Sequence, residues 1–247
     1  MDLRLLKKHP FAVSAFFERS TVLTFAIAKD KLTPLIPSCL ELDVFQDRWA
    51  FVAVALVQTK DLRPSGLPRF LGSDFFLIGY RIFVRYKTSR GKRLRGLYII
   101  KSETNKRKMQ ILGNIFTRYD YTTTDIAVSE DQGERRFHSK QSGFEFAVSM
   151  SNYGEISLPP LSPFAAWGEA RRYAGPLPFT FTYDEADDSM LIIEGVRSNW
   201  KPNPINVIKH KFAFLDQPQF AGLILASAFE LTAVPYKWKK GKTDPCT

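Results

Sequence analysis

From Ala50 to Gln58 the chain reads Ala-Phe-Val-Ala-Val-Ala-Leu-Val-Gln, apolar at every position but the last. Side chains of a strand alternate between its two faces, so this stretch presents apolar groups on both. Neither face can be left to water. The segment must run through the middle of a sheet, with cover on each side. The rest of the chain therefore has to supply two covers. A composition 45% hydrophobic and 14% aromatic is rich enough to do so.

The second constraining stretch is Arg95 to Asp125, which reads as strand, helix, strand. Leu97, Ile99 and Ile100 form a short apolar run rich in β-branched residues, suited to a buried strand. Ser102 to Asn105 offers several helix N-caps. Met109, Leu112 and Phe116 then fall on one helical face, with Ile111 and Ile115 beside it. Gly113 lacks a Cβ, so it either admits a close neighbour or is a tolerated helix glycine. Tyr119, Tyr121 and Thr123 alternate like one face of a strand.

The remaining segments read mostly as strands. Ser20 to Ala28 is one by its β-branched content, and Leu40 to Asp43 is extended. Between them Asp30 can cap a short helix running through Leu35. Asp61 to Ser73, with Pro64, Gly66, Pro68 and Gly72, reads as a loop of the kind that often forms a pocket rim. Phe75 to Lys87 and Leu94 to Lys101 form a hairpin around Ser89-Arg90-Gly91-Lys92. Tyr119 to Ser129, Arg135 to Lys140 and Phe144 to Ser149 make a meander. Phe164 to Tyr173 reads as a second helix. Phe179 to Tyr183 pairs with Met190 to Arg197 across the acidic turn Asp184 to Ser189. Asn206 to Leu215 and Leu223 to Trp238 finish the chain, the last with a helical start. Leu3 to Lys8 suits a short helix.

The expected fold class is α+β, mostly antiparallel β: a closed barrel or sandwich with a central helix, in a single domain over residues 1–247. Arg4, Lys7 and Lys8 before Pro10 to Phe17 mimic a signal peptide only superficially, since Glu18 and Arg19 interrupt the apolar part. No apolar run approaches the roughly 18 residues of a spanning helix, so no membrane is expected. Cys39 and Cys246 are far apart in sequence and give no disulfide framework or zinc spacing, which points to a reducing cytoplasm. The net charge of +10 is dispersed over turns and polar faces, and no nucleic-acid-binding motif accompanies it. His9, His138 and His210 have no second metal ligand at suitable spacing, and no phosphate loop or dinucleotide fingerprint occurs. Neither metal nor cofactor is therefore expected.

Thr21 to Asp43 joins an apolar strand to a short helix and the run Asp-Lys-Leu-Thr-Pro-Leu-Ile-Pro-Ser-Cys-Leu-Glu-Leu-Asp. This resembles the opening of a family of uncharacterised bacterial proteins, DUF2071, also called YqjF-like. The Ala50–Val57 strand, the Arg63-Pro64 and Gly66-Leu67-Pro68 loop, Tyr80-Arg81-Ile82-Phe83-Val84 and the strand–helix from Gly96 to Tyr119 continue the match in order. The resemblance covers residues 16 to about 130 and is weaker beyond. It implies the fold of acetoacetate decarboxylase, a β-rich barrel-like structure with a central cavity. That enzyme holds its substrate as a Schiff base on a lysine just past the central helix, and a neighbouring cation lowers the lysine's pKa. On this resemblance the lysine pair falls near Tyr121 and Thr122, a pocket glutamate on Leu77 and Ile78, and a pocket arginine near Arg19. Arg81 matches an arginine of the DUF2071 family. Neither Tyr121 nor Thr122 can form a Schiff base.

The expectation is thus binding of a small anionic or carbonyl-containing molecule in a cavity, without that chemistry. Arg81, Tyr119, Tyr121, Arg19 and Tyr98 are the candidate ligand-binding residues. Arg81 can grip a carboxylate, or pair internally with Glu103, Asp120 or Asp125. One alternative is a decarboxylase or aldol-type enzyme using a relocated amine, with Lys101 the catalytic candidate. Another is an interaction protein using its basic surface. Homo-oligomerisation stays open.

Overall fold

The computed structural model describes residues 6–150, 156–175 and 177–246, so the first half of the helix expected over Leu3 to Lys8 lies outside the described residues. The elements in order are β1 (Val13–Ala28), the short helix α1 (Lys29–Leu32), β2 (Leu40–Leu42), β3 (Trp49–Pro64), β4 (Ser73–Lys87), β5 (Arg93–Thr104) and α2 (Arg107–Phe116). There follow β6 (Tyr121–Thr123), β7 (Ala127–Asp131), β8 (Glu134–Ser139), β9 (Phe144–Ser149), α3 (Trp167–Ala170), β10 (Phe179–Asp184) and β11 (Ser189–Arg197). The chain ends with β12 (Asn203–Pro204), β13 (Val207–Phe212), β14 (Ile224–Trp238) and β15 (Lys242–Pro245).

The strands form an 11-stranded sheet and a 4-stranded sheet. In the larger one hydrogen bonding runs β14, β1, β3, β4, β5, β10, β11 and then back to β14 through Gly195↔Trp238 and Arg197↔Tyr236. The path is a closed ring with an inside and an outside. Most pairings are antiparallel, while β5 pairs parallel with β10 and β6. The smaller sheet, in the order β13, β9, β8, β7, packs on the outside.

Strand β3 lies between β1 and β4, and its alternate residues enter different cores. Val52, Val54 and Leu56 meet Phe137, Phe144, Phe146 and Phe212 of the smaller sheet. Phe51, Ala53, Ala55 and Val57 face the inside of the ring with Phe17, Phe83 and Phe229. The two covers that its sequence demands are thus the second sheet and the far wall of the ring.

Several local expectations shift. Phe164 to Tyr173 contains only the short α3 and a 3-10 turn at Arg171–Tyr173, and β14 is strand from its first residue. For β14, pairing with β1 along Ile224 to Trp238 outweighs local helix preference. No side-chain cap starts α1 or α2, so neither Asp30 nor Ser102 to Asn105 acts as one. Asn105 instead accepts the Phe76 N–H at 2.8 Å. Helix α2 is not the centre of the winding either. Only Gly113 of it is buried, and it lies across one end of the ring.

Cys39 and Cys246 are disulfide-bonded, which corrects the expectation drawn from their separation. Pairing of β15 with β11 returns the C-terminal segment to the neighbourhood of Cys39. Tyr86 reinforces this by donating to Asp244 at 2.6 Å.

A buried carboxylate fastens β2 to the ring. Asp43 is fully buried and receives Arg85 Nη2 at 2.7 Å and Nε at 2.9 Å, while Arg95 Nε binds its other oxygen. Replacing Asp43 by Ala should cost about 3 kcal/mol, since its charge-assisted contacts to two arginines are lost. Chemical denaturation reads this directly, and an unchanged midpoint would show that the cluster does not hold β2.

Candidate functional site

Two strands carry the same short pattern inside the ring: Gly79-Tyr80-Arg81 on β4 and Gly195-Val196-Arg197 on β11. In a strand, residues two apart share a face, so each arginine sits beside its own glycine. A Cβ on Gly79 would lie 2.9 Å from Arg81 Nη2 and 3.0 Å from Nε. The guanidinium therefore lies over bare backbone that only glycine provides. On β11 the hydroxyl of Tyr236 fills the place where a Cβ of Gly195 would be.

Arg81 is enclosed by protein and shares the inward face of β4 with Leu77 and Phe83. It makes no hydrogen bond or ion pair among the described residues, and its Nε is buried without a partner. Glu103, Asp120 and Asp125 do not pair with it: Lys101 and Ser142 bind Glu103, and Ser139 and the 140–141 backbone bind Asp125. The ionisable groups around Arg81 are Tyr121, Tyr236 and Tyr119. Desolvation lowers the pKa of the guanidinium. Arg197 is likewise without an ion pair, its Cζ 4.2 Å from the Trp200 ring centre, and burial lowers its pKa too.

The tyrosines are placed by α2 and the turn after it. Asn114 grips the backbone of Tyr121 twice, accepting its N–H at 2.7 Å and donating to its carbonyl at 2.9 Å. Gln110 Oε1 accepts the Thr123 hydroxyl at 2.6 Å. The Tyr121 ring lies flat against Gly113, where a Cβ would overlap Cδ2 and Cε2. The close neighbour that Gly113 admits is therefore a ring. Tyr119 shares a hydrogen bond of 2.8 Å with Thr180. Burial raises the pKa of both phenols, that of Tyr119 to about 12, so both are neutral at physiological pH.

Tyr119 and Tyr121 also form the inner end of a cavity of about 370 Å³ that opens between α2, the end of β3 and the starts of β1 and β4. Its walls are mainly apolar. Met109, Leu112 and Phe116, the face of α2 read from the sequence, make one of them, with Trp238 and Phe75 among the others. Leu62 to Pro64 and Ser73 line it, though residues 61–64, read from the sequence as loop, continue strand β3. His9 closes a corner. It is buried with Nε2 unpartnered, and desolvation lowers its pKa to about 4.

The structure thus brings together Arg81, Tyr119 and Tyr121, and separates the other candidates. Arg19 binds Glu230 at 2.6 Å beside Arg135 of the outer sheet, because its strand position points it out of the ring. Tyr98 packs with the outer core, on the opposite face of β5 from Leu97. Lys101 also faces outward, 3.1 Å from Glu103 and over the rings of Tyr80 and Phe214. The amine suggested for covalent chemistry is therefore on the wrong side of the sheet. The only lysines in the cavity wall, among the described residues, are Lys106 and Lys108, exposed at its mouth. Arg197, Tyr236 and His9 were missed. For the first, the signal was a glycine interrupting an apolar strand two residues before an arginine, which marks close approach.

A family model described as an uncharacterized conserved protein, DUF2071, matches residues 15–235. No curated protein matches the chain. Among solved structures, an acetoacetate decarboxylase from Legionella pneumophila superposes with a TM-score of 0.60 at 13% identity, covering 95% of this chain and 87% of that one. An acetoacetate decarboxylase-like enzyme from Sphingomonas wittichii gives 0.57 at 10% identity, covering 94% and 91%. A further acetoacetate decarboxylase gives 0.57 at 11%, covering 94% and 88%. At such identities the likeness is one of fold, and it matches the fold expected from the sequence.

Two outcomes test this geometry. Gly113→Val should destabilise by about 2 kcal/mol by displacing the Tyr121 ring, and the near-ultraviolet circular dichroism should change with it; an unaltered spectrum and melting point would show that the ring is not seated there. His9 is neutral in the fold down to pH about 4, whereas the unfolded chain takes up a proton near 6.5. Stability should accordingly fall on acidification from about 6.5 to about 4, by at most about 3 kcal/mol from this residue. His9→Leu should remove that part of the slope, as melting curves of the two proteins across this range would reveal.

Proposed function

The chain belongs to the DUF2071 family of uncharacterised conserved proteins, and from that premise we propose that it binds a small carboxylate inside the strand ring without forming a Schiff base. The observation that carries this reading is Arg81, a guanidinium enclosed by protein among Tyr119, Tyr121 and Tyr236 and lacking any counter-charge among the described residues. Enclosing an unpaired cation costs several kcal/mol. A bound carboxylate would offset that cost, and it suits the planar fork of donors that arginine presents. Tyr119 and Tyr121, as neutral phenols, can donate further hydrogen bonds. Acetoacetate, the substrate named for the structural neighbours, is a carboxylate of this kind and serves as a probe.

Covalent chemistry has less support. The position that the resemblance gives to the reactive lysine holds Tyr121, and Lys101 is ion-paired on the outer face.

Substituting Arg81 by Met separates the roles. The variant should gain about 2 kcal/mol of stability, since an uncompensated buried charge is replaced by an apolar chain of similar volume. It should also lose acetoacetate binding by calorimetry. Equal affinity in both proteins, or no binding of acetoacetate, pyruvate or butyrate by the unmodified one, would count against the reading. Borohydride added with acetoacetate should leave no adduct on any lysine.

A further inference from the structure

The cavity is graded from one end to the other. Tyr119 and Tyr121 line it, and both are neighbours of Arg81, which lies behind them rather than in the cavity wall. Toward the mouth the walls are Phe11, Leu62, Phe75, Met109, Phe116 and Trp238. The charged residues of the wall are satisfied elsewhere or lie in solvent. Arg63 donates to the carbonyls of Asp61 and Leu67, Asp74 pairs with Lys60, and Lys106 and Lys108 are exposed. A short keto acid held at Arg81 would leave most of this lining facing water. Beyond its basic start at Lys106 and Lys108, the exposed surface of α2 is apolar: Leu112 of the wall and its neighbours Ile111 and Ile115 are 40%, 51% and 36% exposed.

Resting on the carboxylate-binding reading, we propose that the natural ligand is an amphipathic carboxylate. Its charged head lies by Arg81 between Tyr119 and Tyr121, and an unbranched or aromatic apolar tail fills the about 370 Å³ between α2 and the ends of β3 and β4. The head supplies the counter-charge that the interior lacks, and the tail covers the apolar wall. A cavity of this volume is in the range that encloses a small organic molecule. Apolar tail burial then sets affinity, and the arginine sets orientation.

The test is a calorimetric series of straight-chain carboxylates from butyrate to decanoate on the unmodified protein, with the matching primary alcohols as controls. Affinity should rise about fourfold per added methylene until the cavity is full and then level off. The alcohols should bind more weakly at each length. Met109→Trp, which narrows the cavity, should make the plateau arrive at a shorter chain. Affinity that stays flat with length, while butyrate binding still depends on Arg81, would overturn the tail and leave the carboxylate reading intact. Alcohols binding as tightly as carboxylates would overturn the placement of the head. If no member binds, the underlying reading falls with it.

Discussion

From Ala50 to Val57, strand β3 has no polar face, and the architecture follows from that. A strand of this kind needs neighbours on both edges and apolar cover on both faces. Its edges are taken by β1 and β4. One face is covered by the phenylalanines of the smaller sheet, Phe137, Phe144, Phe146 and Phe212. The other can be covered only if the larger sheet curls round upon itself, which it does through the contact between β11 and β14. Closure makes an interior, and small residues on its wall keep that interior from filling. Ala53, Ala55 and Gly79 occupy adjoining inward positions, and over Gly79 the space is taken by the Arg81 guanidinium.

Within that interior the fold accepts costs that a purely structural core would avoid. Arg81 lies over Gly79, the Tyr121 ring over Gly113 and the Tyr236 hydroxyl over Gly195. Each glycine forgoes side-chain packing and loses more backbone entropy on folding than alanine would. In return, three polar side chains lie closer to the backbone than any Cβ would allow. Asn114 adds a pair of hydrogen bonds whose effect is to fix the backbone of Tyr121 against α2. Such precision is wasted on a group that only fills space, and it suits one that must meet a ligand.

Much of this was legible in the sequence, and the reasons differ by residue. Periodicity showed the double burial of β3 and the face Met109, Leu112 and Phe116 because both depend on local spacing alone. Arg81 and Tyr121 could be placed from motif order, whereas Tyr119 lies in the turn before β6 and not on the strand face that the alternation suggested. What failed depended on strand partners distant in the chain. Arg19 and Lys101 sit on correctly identified strands, but which face points inward is set by register, with bulges near Phe17 and Tyr80 shifting the count. The bond between Cys39 and Cys246 spans 207 residues and appears only once β15 has paired with β11. Arg197 lay beside an informative glycine, yet its place across from Tyr236 depends on the closure of the ring.

The choice of tyrosine rather than a carboxylate beside Arg81 matters for what the interior can do. An aspartate or glutamate at 119 or 121 would pair with the guanidinium and cancel its charge, and the hollow would then be an ordinary satisfied core. A lysine at 121 would add a second cation, and repulsion would lower its pKa toward the free amine needed to attack a carbonyl. Phenols whose pKa burial has raised do neither. They stay neutral, leave the arginine's charge available, and offer hydroxyl donors to an anion without offering a nucleophile. On the carboxylate-binding proposal, an interior built this way would orient the anion without offering it a nucleophile.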